Sequence, residues 1–351
     1  MTASKRALVT GAAGFIGSHL VEMLVRQGTQ VRAFVRYNAG HHAANLDLLP
    51  PDVRQQVELY FGDLRDAEAV SQAVRGMDEV YHLGAVITIP YSYLLPREVM
   101  EVNVTGTLNV LTAARDQGTP HVMVTSTSEV YGSAQYEPID EKHPLHPQSP
   151  YAATKVSQDA LAQSFYATYN LPVRIIRPFN TFGPRQSTRA VIPTIITQAL
   201  TGNTVKLGAL HPTRDLTFVT DTVRGFMLSA QCDAAIGRPI NLGTGRSITI
   251  GELAETIIKL IGRDVQLVTD EQRLRPENSE VTRLRSDNRL AKEIMGWEPE
   301  VSLEEGLQKN DKLDTGPSRF IRPRSLCLLN VNYSLSRPTP VWAVAKVSSL
   351  I

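Results

Sequence analysis

Residues 6–35 read RALVTGAAGFIGSHLVEMLVRQGTQVRAFV. The apolar run at 6–10 predicts a strand, three glycines follow, and 15–27 has the spacing of an amphipathic helix. Gly28 ends that helix, and 31–35 predicts a second strand. Strand, glycine turn, helix and strand in this order make the βαβ unit that opens a parallel, doubly wound sheet. Gly11, Gly14 and Gly17 are spaced GxxGxxG. Glycines there let the backbone turn tightly and approach a pyrophosphate, while the helix N-terminus offers free N–H groups and a positive dipole end.

Working outward, strand-like runs recur at 57–61, 79–83, 121–125 and 173–177, with helix-like stretches at 66–75, 97–117 and 151–169. That alternation predicts an α/β fold, a doubly wound parallel Rossmann sheet. After residue 178 the rhythm loosens: Pro178, Gly183, Pro184, Pro193 and Gly202 interrupt it. Helices near 191–201, 250–261 (introduced by Thr249) and 287–295, with strands near 205–207 and 216–219, fit a smaller C-terminal α/β substrate lobe. The expected division is a dinucleotide-binding domain over 1–178, a lobe over 179–307 interleaved with it, and an atypical tail over 308–351. That tail turns Pro- and Arg-rich and is markedly basic, leaving the preceding residues slightly acidic.

The 351 residues carry a formal net charge of +1, with 42% hydrophobic and 20% charged residues, ordinary for a globular chain. Neither nucleic acid nor a membrane surface is indicated as a partner. The two cysteines, Cys232 and Cys327, lie far apart without a CxxC or Cys/His cluster, so neither a disulfide framework nor a metal site is expected. A reducing, cytoplasmic setting fits best. With the glycine motif starting at residue 11 and no apolar run of membrane-spanning length, neither signal peptide nor transmembrane segment is expected.

Tyr151-Ala152-Ala153-Thr154-Lys155 places a phenol and an ammonium at i and i+4 on one helix face, with Pro150 suited to the helix start. A lysine cation beside a phenol favours the phenolate and draws its pKa, ordinarily about 10, toward working pH. Such a tyrosine can take a proton from a substrate hydroxyl while hydride leaves the same carbon. At the end of the second strand, Val35 stands where an NAD-selective site carries an acid, and Arg36 follows. Without that carboxylate a 2′-phosphate is not repelled and Arg36 is free to pair with it. NAD+ and NADP+ both stay open, with charge tipping toward NADP+.

TGAAGFIGSHL, together with segments further along, resembles the extended short-chain dehydrogenases/reductases, the NAD-dependent epimerase/dehydratase family. The likeness spans about residues 6–307 and implies an enzyme acting on a nucleotide-activated sugar, with a homodimer formed through helices matching 97–117 and 151–169. Gly11, Gly14, Phe15, Ile16 and Gly17 would cradle the cofactor phosphates. Asp63 in Gly62-Asp63-Leu64-Arg65-Asp66 would contact adenine beside Leu64. Leu83 and Ala85 in His82-Leu83-Gly84-Ala85 would run along the cofactor, and Asn103 in Asn103-Val104-Thr105-Gly106-Thr107 would brace the site. Tyr151 and Lys155 would serve both cofactor and catalysis, with Thr127 completing the triad.

The stretch Ser126-Thr127-Ser128-Glu129-Val130-Tyr131-Gly132 resembles the S-T-D-E-V-Y-G of sugar-nucleotide 4,6-dehydratases, with Ser128 in place of the Asp that protonates the leaving hydroxyl. GDP-mannose-type dehydratases resemble T-S-E here, and UDP-glucuronate decarboxylases also resemble S-T-S-E-V-Y-G. Glu129 is the expected base for C5 and serves as the acid too, helped by Ser128 or a water. A 4-epimerase has no required task for such a carboxylate. Arg177-Pro178-Phe179-Asn180-Thr181-Phe182-Gly183-Pro184 is similar to the family's R-x-x-N-x-x-G-P, with Asn180 expected on the sugar diphosphate. The continuation through Val191, and His211-Pro212-Thr213-Arg214-Asp215, looks closest to HexNAc 4,6-dehydratases of the legionaminic acid pathway. Arg214 and Arg275 would reach the nucleotide. The expected activity is therefore 4,6-dehydration of a UDP-, GDP- or dTDP-sugar. The alternatives are a 4-epimerase or uronate decarboxylase of the same fold, and a non-enzymatic, cofactor-binding regulator.

Overall fold

Seven strands lie side by side in the order Pro239–Leu242, Val173–Pro178, His121–Thr125, Glu79–His82, Arg6–Thr10, Gln30–Arg36 and Val57–Gly62 in the computed structural model, which describes residues Ser4–Lys309. Every neighbouring pair is parallel. The order reverses between Arg6–Thr10 and Glu79–His82, the crevice where a doubly wound sheet takes its ligand. The expected tail falls almost wholly on residues 310–351, outside the described residues.

Strand alternation divides the core in two. Ala7, Val9, Met123 and Ile176 point to one face and pack with the helices Phe15–Arg26, Val191–Thr201 and Val219–Ala230. Leu8, Val122, Val124 and Ile175 point to the other and pack with Ala67–Val74, Gly106–Asp116 and Pro150–Tyr169. Both faces are covered, so the inner strands read as continuous apolar runs; Val173–Pro178 is buried at all six positions.

The chain enters the sheet once more after residue 178. Pro239–Leu242 adds the seventh strand beside Val173–Pro178, an element absent from the strands expected above. A second element invisible to the loosened pattern is the helix Val219–Ala230; the predicted strand 216–219 stops at Phe218, where that helix begins. The predicted helix 97–117 is divided: Pro96–Met100 and Gly106–Asp116 flank a five-residue π-helical turn, Glu101–Thr105. Thr249 caps Ile250–Ile261 in a full capping box with Glu252.

Asp215 explains the glycine-rich turn after the seventh strand. Its fully buried carboxylate accepts from Thr244 N (2.8 Å), Thr244 Oγ1 (2.7 Å), Gly245 N (2.9 Å) and Ser286 N (3.0 Å). A Cβ at Gly243 would stand 2.3 Å from Ser286 Cβ. Among the described residues no helix is long and apolar enough to cross a membrane, and no group of three or more His, Cys, Asp or Glu is placed to hold a metal.

Candidate active site

The glycine turn closes against the strand end beside it. Gly11 has φ +67°, and a Cβ there would lie 2.8 Å from Gly84 N. At Gly17 a Cβ would lie 2.2 Å from Gly11 O, so neither position accepts a side chain. Gly14 starts the helix Phe15–Arg26 without any side-chain cap, and its first turn holds no acidic residue. Its N–H groups and positive end thus remain available to an anion. Phe15 and Ile16, half-buried, form that first turn. Leu64 is buried and packs where Cβ atoms at Gly84 and Gly106 would otherwise sit. Leu83 and Ala85 are half-buried along the same edge. The shape and donors fit a dinucleotide.

Toward the adenosine end, Asp63 pairs with Arg65 (Oδ2 to Nη2, 2.7 Å), which holds its carboxyl below the usual range. Val35 is buried, while Arg36 is 71% exposed with its guanidinium 3.9 Å from Glu98.

A buried polar chain ties this turn to the helix Pro150–Tyr169. Thr10 Oγ1 lies 2.8 Å from His82 Nδ1 and accepts from Gly84 N (3.0 Å); His82 Nε2 lies 2.9 Å from Thr107 Oγ1. Thr107 donates its proton to Asn103 O (2.7 Å), so His82 carries its hydrogen on Nε2 and accepts from Thr10 at Nδ1. Burial, aided by the Lys155 charge, pushes His82 down to about 3 and keeps it neutral. Gln158 also donates to Thr107. Asn103, in the π turn, accepts from Val86 N (2.7 Å) and donates to Val86 O (3.0 Å) and Thr154 Oγ1 (3.0 Å); Thr154 donates to Tyr151 O (2.7 Å). An extra residue in a helix commonly marks a functional position, and here it aims this amide.

Tyr151 and Lys155 stand in the first turns of their helix, which Ser149 caps by accepting from Ala152 N (3.1 Å). Both are nearly fully buried, and Lys155 Nζ donates to Thr125 O (2.9 Å). The sequence argument expected the lysine to draw the phenol toward neutral pH. In the folded protein burial dominates and pushes Tyr151 above its ordinary value, opposed by the Thr127 hydroxyl and reinforced by the charges of Glu129 and Asp159. Burial also pushes Lys155 down to about 8, with Asp159 pulling the other way. Thr127 accepts from Glu129 N (3.3 Å) at the head of the short turn Ser128–Tyr131. Ser128 is buried and Glu129 half-buried. The Glu129 charge favours the protonated form of both the Tyr151 phenol and the Arg214 guanidinium.

On the far side, Asn180 pairs in register with Leu216, and its Oδ1 is buried without a hydrogen bond. Arg214 donates to Thr213 O (2.9 Å), Val281 O (2.8 Å) and Glu280 Oε1 (3.2 Å). Arg275 Nη1 is buried without a hydrogen bond, 3.9 Å from the same Glu280 oxygen. Orphaned polar atoms of this kind fit a polar ligand. Val191 is the half-buried first residue of the helix Val191–Thr201.

Two residues here had no role in the sequence argument. Asp159 stands one turn beyond Lys155 on the same helix face and pairs with buried Arg177 (2.8 Å). The i+4 step was available to reveal it. Glu280, five residues after Arg275, shows no such periodicity.

The profile of the family described as "GDP-mannose 4,6 dehydratase" matches residues 8–310. The chain is 36% identical to the UDP-glucose 4-epimerase of Mycolicibacterium smegmatis, over 87% of this chain and 96% of that protein. It is 31% identical to UDP-glucuronic acid decarboxylase 1 of Xenopus tropicalis, over 87% and 71%. The crystal structure of a double mutant of DesIV, a dTDP-glucose 4,6-dehydratase from Streptomyces venezuelae with NAD bound, superposes with a TM-score of 0.79 at 31% identity, covering 88% of this chain and 96% of that one.

Proposed function

The chain belongs to the GDP-mannose 4,6-dehydratase family, whose members are nucleotide-sugar dehydratases, epimerases and decarboxylases, and on that footing we propose that it is a nucleotide-sugar 4,6-dehydratase. The supporting observation is Glu129: a half-buried carboxylate whose charge reaches the phenol of Tyr151.

In this reading Gly11, Gly14, Phe15, Ile16 and Gly17 hold the pyrophosphate of NAD(P)+, and Asp63, Leu64, Leu83, Ala85 and Asn103 line the rest. Bound there, the dinucleotide would supply the hydride acceptor for C4 and the donor for C6. Tyr151 Oη takes the proton of the C4 hydroxyl, which the Thr127 hydroxyl orients. Lys155 holds positive charge beside the phenolate. Glu129 then takes the C5 proton, made acidic by the C4 ketone, as the C6 hydroxyl leaves with a proton from Glu129 or a water beside Ser128. Once C6 has gained hydride and C5 a proton from solvent, the net result is loss of one water and a 4-keto-6-deoxy sugar. Asn180, Val191, Arg214 and Arg275 hold the sugar diphosphate. Preference for NADP+ rests on Val35 and Arg36 and is part of the proposal, as are a homodimer and a cytoplasmic location. The proposed domains are 1–178 and 179–307, interleaved.

Incubation with UDP-, GDP- and dTDP-hexoses and HexNAc sugars tests the reading. The expected product has lost 18 mass units and carries solvent deuterium at C5. The resemblance to a 4-epimerase at 36% identity favours a second reading, which the same assay detects as C4 inversion without mass loss; loss of CO₂ from UDP-glucuronate would instead establish the decarboxylase.

A further inference from the structure

We propose that Glu280 is a resident anion, which the diphosphate of the substrate must displace from Arg214 and Arg275; this rests on the diphosphate assignment made above. One carboxylate oxygen serves both cations, at 3.2 Å from Arg214 Nη2 and 3.9 Å from Arg275 Nη1. The two guanidiniums share this one carboxylate oxygen, and Arg275 Nη1, buried without a hydrogen bond, has a donor to give. Arg214 is fixed by Thr213 O and Val281 O, so it cannot follow the carboxylate away.

The backbone around Glu280 is pinned as firmly. Ser279 Oγ donates to Gln148 O (2.6 Å) and lies 2.6 Å from Tyr93 Oη, while Thr213 N donates to Thr282 O (2.9 Å). With both flanks tied, the side chain of Glu280 is the part that can swing. A diphosphate bridge, with a negative charge on each phosphate, offers the guanidiniums more charge and more acceptors than one carboxylate oxygen. The two anions cannot share the cations without like-charge repulsion. Glu280 therefore keeps the empty arginines apart from unsuitable anions, weakens the grip on the nucleotide and speeds its release.

The test compares wild type with Glu280→Gln, titrating inorganic pyrophosphate, UDP, GDP and dTDP by calorimetry at low salt. Glu280→Gln is expected to bind pyrophosphate, and whichever nucleotide wild type accepts, at least about fivefold more tightly, with slower nucleotide dissociation, because a competing charge has been removed. Equal or weaker binding by a folded variant overturns the proposal. Should the variant not fold, a crystal structure of wild type with pyrophosphate decides: the Glu280 carboxylate must have left both guanidiniums, and retained contact sinks the idea. Wild type that binds none of the probes removes the diphosphate site itself and the proposed function with it. Binding with Glu280 still in place removes only this inference.

Discussion

At Tyr151 two opposing effects meet: burial, reinforced by the charges of Glu129 and Asp159, resists the phenolate, and the Thr127 hydroxyl favours it. The same burial brings Lys155 to about 8. If the ammonium is the working form, kcat/KM should fall as pH rises through about 8, because a lowered lysine pKa means the charge is lost early. Asp159→Asn removes the carboxylate that raises Lys155, so it should move this alkaline limb to lower pH; a pH–rate profile with an unmoved limb would show that the limb belongs to another group. For Glu129→Gln, product formation should drop about 10²–10⁴-fold, the usual worth of a positioned base. Transient cofactor reduction at 340 nm should persist, and an undiminished rate of water loss would remove Glu129 from the chemistry. Arg36→Ala should weaken NADP+ up to about tenfold and leave NAD+ unchanged, the modest size following from its exposure. Equal effects on both cofactors would end the case for the 2′-phosphate.

Among the elements, the loop after Asn180 is bolted to the glycine-turn helix. Arg185 bonds Glu22 and Ser18, His19 Nε2 lies 2.9 Å from Pro184 O, and Asn45 donates to Arg185 O (3.1 Å). These bonds tie the segment after Asn180 to the helix Phe15–Arg26. The helices Ile89–Leu94, Gly106–Asp116 and Pro150–Tyr169 present Leu94, Leu108, Tyr166 and Tyr169 to solvent, each 40% exposed or more. Met100 adds to this apolar surface at 59% exposure. Exposed apolar side chains on these helices suit a second copy of the chain. Sedimentation should find a dimer for the wild type and a monomer for Met100→Glu/Leu108→Lys, with the double variant still folded; a monomeric wild type would refute the dimer.

Across the whole molecule, one buried network joins the sheet to the loop over its C-terminal edge. Arg177 bonds Asp159 (2.8 Å) and Tyr131 Oη (2.8 Å), Tyr131 donates to Asn241 Oδ1 (2.7 Å), and Asn241 Nδ2 donates to Ile139 O (3.1 Å). Arg177→Met should cost about 3–5 kcal/mol, because it leaves Asp159 buried and unpaired. Denaturant unfolding measures it, and a loss below about 1 kcal/mol would mean that water reaches the carboxylate. The sequence by itself determined the parallel sheet, the glycine turn and the Tyr151/Lys155 pair, since strand alternation, glycine spacing and an i+4 step are local and survive in one dimension. Only the tertiary structure decided that Pro239–Leu242 returns to the sheet, that Glu280 lies between Arg214 and Arg275, and that Tyr151 is raised rather than lowered. Those three depend on which distant residues become neighbours and how much water they exclude. Desolvation and long-range pairing are properties of the packed chain, and no spacing along it encodes them.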